Sequence, residues 1–156
     1  MKSSYFFLLP LIFLHSIFVV GEAEAKPIYK KIENINFVAT VDDGVKCKVS
    51  AKALDTAAAF VLANSALKKV DERSSAFLLA LVSIRDIDTT DGVIGCAVAT
   101  HLTLRYRKKI DDVVYSINLL ESFGAGVQVP ETVERKTAES IEDFTKLVVV
   151  EWNKNR

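Results

Sequence analysis

The chain has 156 residues and a mass of 17.2 kDa, is 50% hydrophobic and 26% charged, and balances twenty basic against twenty acidic side chains. That is one domain's worth of chain, too short for a multidomain enzyme and too evenly charged for a general nucleic-acid binder. With six Gly and three Pro it is also too apolar for a disordered or fibrous protein.

The first 25 residues read as an address. Met1-Lys2 supplies one positive charge, Tyr5 to Val20 is an apolar run, and the small-residue pattern Ala23-x-Ala25 follows. This order is that of a secretory signal peptide, and cleavage is expected after Ala25. The competing reading is an uncleaved anchor, but a run broken by Pro10, His15 and Ser16 falls short of the roughly 20 apolar residues that span a bilayer. No cysteine lies near Ala25 to carry a lipid. The mature part, Lys26 to Arg156, has 19 basic and 18 acidic residues, so no stable membrane insertion and no nucleic-acid partner are expected.

Residues 26–33 are polar and basic and are expected to be a flexible lead-in to one globular domain over 34–156. Asn34 to Val41 alternates as a strand. Asp42-Asp43-Gly44 interrupts it, and Val45, Cys47 and Val49 then continue as a second hairpin arm or as the same strand resumed after a bulge; both options turn Cys47 inward. Ser50 is placed to cap a helix over Ala51 to Val70 in which Leu54, Ala57, Ala58, Val61 and Phe60, Asn64, Leu67 fall at three- and four-residue steps as an inward stripe. Two strands follow, from about Ala76 to Ile87 and from about Val93 to Arg107. In the second, Ile94, Cys96, Val98, Thr100, Leu102, Leu104 and Tyr106 share one face. Gly95, Ala97, Ala99, His101, Thr103, Arg105 and Arg107 share the other, which passes from small and covered to basic and solvated. A turn over Lys108 to Asp111 leads to a third arm, Val113 to Leu119, with Leu104 expected opposite Tyr115 and Leu102 opposite Ile117. Ser122 to Pro130 reads as a glycine-interrupted connection. A final helix buries Val133, Thr137, Ile141, Phe144, Val148 and Trp152.

The expected fold is α+β: a two-layer sandwich in β-(β)-α-β-β-β-α order, with a mainly antiparallel sheet of four to five strands and two helices packed on one face. Over Asn34 to Trp152 this element order resembles small bacterial envelope accessory domains such as the LPS-assembly lipoprotein LptE family and the N-terminal domain of TolB. No motif residues carry the resemblance, and the chain lacks the lipoprotein cysteine.

Cys47 and Cys96 are the only cysteines, and both fall on inward strand faces of an exported chain. A disulfide between them is expected; the alternative is two buried thiols. His101 is the one histidine of the mature chain and is read as an ordinary residue of the polar strand face. Asp86 to Gly92 has three carboxylates and a Gly, but not at EF-hand spacing, and reads as a hairpin turn. Gly124-Ala125-Gly126 lacks the companions of a phosphate loop. Arg105, Tyr106, Arg107, Lys108 and Lys109 form the one local basic patch. It reads first as a solvated strand end whose lysines discourage edge pairing, and secondly as a contact for an acidic partner or an anionic surface.

With no spaced catalytic set, the expectation is an exported, non-catalytic binding or assembly module that meets an envelope or extracellular protein partner and needs no cofactor or metal. Its location would be periplasmic or secreted. The alternative is a small secreted ligand-binding protein or hydrolase with a pocket between sheet and helices, built around His101.

Overall fold

Alternation of apolar and polar residues gives each strand a face to bury, and the helices cover that face. The computed structural model describes residues 16–19, 22–71 and 74–156; residues 1–15, 20 and 21 of the expected leader lie outside the described residues. The elements are β1 (Ser16–Val19), α1 (Glu22–Tyr29), β2 (Asn34–Asp42), α2 (Ala51–Ala63), β3 (Lys68–Lys69), β4 (Ala76–Thr89), β5 (Gly92–Ile110), β6 (Val113–Gln128) and α3 (Val133–Asn155). The sheet runs in the order β1-β6-β5-β4-β2-β3. β2 is parallel to β3 and β4, and the other pairings are antiparallel. This is the expected α+β sandwich: β2 to β6 form a mixed five-stranded sheet, α2 and α3 pack on one face, and β1 adds a short pairing beside β6.

The β2–α2–β4 unit is a parallel crossover, so α2 must lie against the sheet. It does so through Leu54, Ala58 and Leu62, while α3 lies beside it through Val133, Thr137, Ile141, Phe144, Val148 and Trp152. Beneath them the core is made by Ile35 and Phe37 of β2, Leu78, Val82 and Ile84 of β4, Leu102 and Leu104 of β5, and Leu119 and Leu120 of β6.

Several local expectations are corrected. Residues 26–33 are not a loose lead-in: Tyr29 and Ile32 are buried, and the Trp152 indole N–H donates to the Ile32 carbonyl at 2.8 Å. Burial pushes the Tyr29 hydroxyl up to about 12, with Glu151 adding to the rise. The first helix stops at Ala63 instead of Val70. Asn64 and Ser65 turn the chain with side-chain bonds to the carbonyls of Phe60 and Leu62, which frees Lys68–Lys69 to pair with β2. Phe60, expected on the apolar stripe, is exposed. Ser50 holds the N-cap position without a side-chain cap, and its backbone N–H donates instead to Glu134 of α3 at 2.8 Å.

The β5–β6 turn is two residues, Asp111 and Asp112, both at positive φ, as a tight hairpin requires. The register therefore differs from the expected one: Leu104 faces Leu120, Leu102 faces Ser122, and Ile117 faces Tyr106, with Leu119 bulged out. The glycine segment 122–128 is strand, not connection. Gly124 and Gly126 oppose Thr100 and Val98, and Gly124 lies near Thr137 of α3, where a strand without side chains lets the helix approach.

Residues 43–50 are an irregular loop rather than a second strand arm. Cys47 is bonded to Cys96, with Cα atoms 5.7 Å apart, so the expected disulfide is present and the thiol alternative falls. Asp86, suspected only of turn duty, is the loop's anchor. Its carboxylate accepts from the backbone N–H groups of Val45, Lys46 and Cys47 at 2.9–3.0 Å. Asp43 accepts from Val49 N–H at 3.0 Å, and a Cβ at Gly44 would run into the Asp86 carboxylate.

Two measurements check this tether. Replacing both cysteines by Ala should lower stability by about 4 kcal/mol in the chain-entropy account of a loop this long, read as a fall in the urea midpoint. The N–H groups of Cys47 and Lys46 hold the Asp86 carboxyl below the ordinary carboxylate range. Its contribution is thus present above the unfolded carboxyl pKa of about 3.9 and is lost as pH falls through the lower folded value. Thermal melts should show acidification to about pH 3 lowering the Tm of the wild type further than that of Asp86→Asn.

Candidate functional site

Helices cover one face of the sheet, and among the described residues no element packs on the other. Cross-strand register lays this open face out in rungs. Thr40, Leu81, His101 and Phe123 form one; Asp42, Ser83, Ala99 and Ala125 form the next; Arg85, Ala97 and Val127 form a third. The middle rung has short side chains and is bordered by a rung of long ones, so a hollow of about 540 Å³ opens between Leu81, His101 and Phe123 on one side and Ala99 and Ala125 on its floor. Its lining is mostly apolar. Leu81 is 38% and Phe123 41% exposed, both large for side chains in the middle of strands.

His101 belongs to this hollow. Its ring stacks on Phe123 with centroids 4.1 Å apart, and Nε2 is hydrogen-bonded to the Glu121 carboxylate. The expectation of an ordinary strand residue placed it on the correct face, but not in the centre of the sheet, flanked by Leu81 and Phe123. The expected pocket between sheet and helices is not where the hollow lies. Asp42, at its margin, is paired with Arg85, which also holds its carboxyl below the usual range. Among the described residues no cluster of three or more His, Cys, Asp and Glu is placed to hold a metal ion.

The five-residue basic patch is divided by the strand's own alternation. Tyr106 packs against the helix-side core, whereas Arg105 and Arg107 project on the open face. The Arg107 guanidinium lies 4.4 Å from the centre of the Phe77 ring, and Lys109 is paired with Asp112 at 2.6 Å. Lys108 and Lys109 stand on the part of β5 that outruns β4, where they face Tyr115 and Val114. The structure does not gather the five into one surface.

Sequence reasoning missed the hollow because Ala97 and Ala99 read as small residues under a second layer. The available signal was the pairing of two small positions, Ala99 and Ala125, but it depended on a register that the sequence misplaced.

No family model and no curated protein matches the sequence. Among solved structures, the chain is similar to PelC of Paraburkholderia phytofirmans, described as a dodecamer, with TM-score 0.52 and 11% identity over 88% of this chain and 98% of that one. A variant of the same protein in another crystal form gives TM-score 0.48 at the same identity and coverage. The likeness shows a shared fold.

Substitutions separate this face from the core. Leu81→Ser and Phe123→Ser should each cost about 1–2 kcal/mol, because those side chains are only partly covered, whereas Leu104→Ala, at a fully buried side chain, should cost about 2–5 kcal/mol. Urea unfolding of the three variants checks the contrast.

Proposed function

We propose that the protein is an exported, non-catalytic binding and assembly module that receives a protein partner on the open face of its sheet. The observation that carries this reading is the hollow: Leu81 and Phe123 stand exposed around a small-residue floor in the middle of the sheet. Folding gains little from leaving such groups in water, whereas a partner's apolar side chain gains by filling the hollow. The His101–Glu121 pair supplies a polar rim that fixes orientation.

Export is supported by the leader pattern ending at Ala25 and by the Cys47–Cys96 disulfide, which persists in oxidising compartments. No helix among the described residues is long and apolar enough to cross a membrane. The assembly reading draws support from PelC, a protein of this fold described as a dodecamer. Envelope or extracellular proteins are the partner class that such a location offers. The basic side chains Arg105 and Arg107 at the far end of the open face would add an acidic contact.

The experiment is capture of a partner from envelope and extracellular fractions by the exported protein, beside Leu81→Ser/Phe123→Ser and Arg105→Glu/Arg107→Glu. N-terminal sequencing of the exported protein should begin at Lys26. A single partner should be retained by wild type and lost with the hollow variant, and weakened with the charge-reversed one. Equal capture by wild type and the hollow variant would overturn the reading, as would turnover or tight binding of a small metabolite in the hollow.

A further inference from the structure

The two edges of the sheet are built differently. At one, β3 is two residues long and both are lysines. That is a short, charged edge of the kind that resists pairing with another chain. At the other, β6 runs sixteen residues from Val113 to Gln128 with Glu121 as its only charge and with no Lys, Arg or Pro. Among the described residues its outer side is paired only where Ser16–Val19 meets Leu120 to Phe123, antiparallel. Val113, Val114, Tyr115, Phe123 and Val127 along it are 41–60% exposed. The lysines that guard this end of the molecule, Lys108 and Lys109, stand on β5 and leave the β6 edge unguarded.

We propose that β6 is a self-association edge, pairing antiparallel with β6 of a second copy of this chain. A second copy fits because two identical antiparallel strands map onto one another by a two-fold rotation: one unguarded strand satisfies the unpaired N–H and C=O groups of the other, and neither copy is left with that edge open. The antiparallel strand seated on Leu120 to Phe123, Ser16–Val19, belongs to the leader expected to be cleaved after Ala25, so export leaves a β6 segment that has already accepted antiparallel pairing free for a second copy. Near-neutral overall charge sets no long-range repulsion between copies. The proposal shares with the partner-binding reading only the idea of an assembly module. It uses the edge rather than the hollow, so either can fail alone.

The test is sedimentation of the protein, expressed as the full chain in a secreting host, from low to high micromolar concentration, together with hydrogen exchange by mass spectrometry at both ends of that range. Wild type should pass from monomer to dimer, and protection should rise with concentration in peptides covering Val113 to Gln128. Val114→Lys/Val127→Lys should weaken the dimer about tenfold or more, since it places like charges along both paired strands. Val150→Lys, on the exposed side of α3, should leave the dimer unchanged, and circular dichroism confirms that each variant is folded. A monomer at every concentration would overturn the proposal. So would a dimer that Val114→Lys/Val127→Lys does not weaken, or whose new protection falls outside β6. Loss of self-association in Leu81→Ser, a change on β4 away from the edge, with the dimer kept in Val114→Lys/Val127→Lys, would overturn the proposal and assign self-association to the hollow.

Discussion

Residues 43–50 must carry the chain from the end of β2 to the start of α2 without regular structure of their own, and the way they are fastened decides where the helix layer sits. The Cys47–Cys96 disulfide ties the loop to the central strand β5, and the Asp86 carboxylate collects three of its backbone N–H groups from β4. At the loop's end, Glu134 of α3 takes the N–H of Ser50, joining the two helices at the point where α2 begins. A long loop left to itself would cost closure and backbone entropy. Here four of its residues, Val45, Lys46, Cys47 and Ser50, are fixed by groups from other elements, so α2 is aimed onto the sheet and α3 has a neighbour to lie against.

One consequence is a one-sided sandwich. Both helices spend their apolar faces on the same side, and the core beneath them is made from alternate residues of β2, β4, β5 and β6. The other set of alternate residues has no helix to meet. In a protein that had only to stay folded, that set would be polar throughout. Thr40, Asp42, Arg85, Glu121 and Arg107 follow that rule, whereas Leu81, Phe123, Ala99 and Ala125 break it around the hollow, and Val38, Phe77, Leu79 and Val127 carry apolar side chains to either side of it on the same face. The same economy leaves β6 as a long edge with a single charge. Those two adjacent places, the hollow and the β6 edge, are the sites of the proposed contacts.

How much of this is legible in the sequence depends on how local the signal is. The final helix is legible almost residue by residue, because Val133, Thr137, Ile141, Phe144, Val148 and Trp152 repeat at helical spacing and all are buried. Cys96 follows from alternation within β5, whereas Cys47 is turned inward by the loop fastened to Asp86 and not by the strand alternation read for it. The end of α2 is not legible, because Asn64 and Ser65 are weak stops and Leu67, buried beside β3, continues the apolar count. The β5–β6 register is not legible either. Asp111-Asp112 makes a tight positive-φ turn without glycine, Leu119 is bulged out, and each shifts every cross-strand pair beyond it. The hollow is a property of that register, so His101 could be placed on a face while its neighbours Leu81 and Phe123 could not.

The central claim is that the open face, and not the helix face, is the working surface. Carbene footprinting of the protein in its native envelope or extracellular assembly, compared with the purified protein, tests it side chain by side chain. Labelling of Leu81 and Phe123 should fall severalfold in the assembly, while Phe60 of α2 and Val150 of α3, which are 63% and 58% exposed on the helix side, keep their labelling. Protection of Phe60 and Val150 with Leu81 and Phe123 still fully labelled would contradict the account.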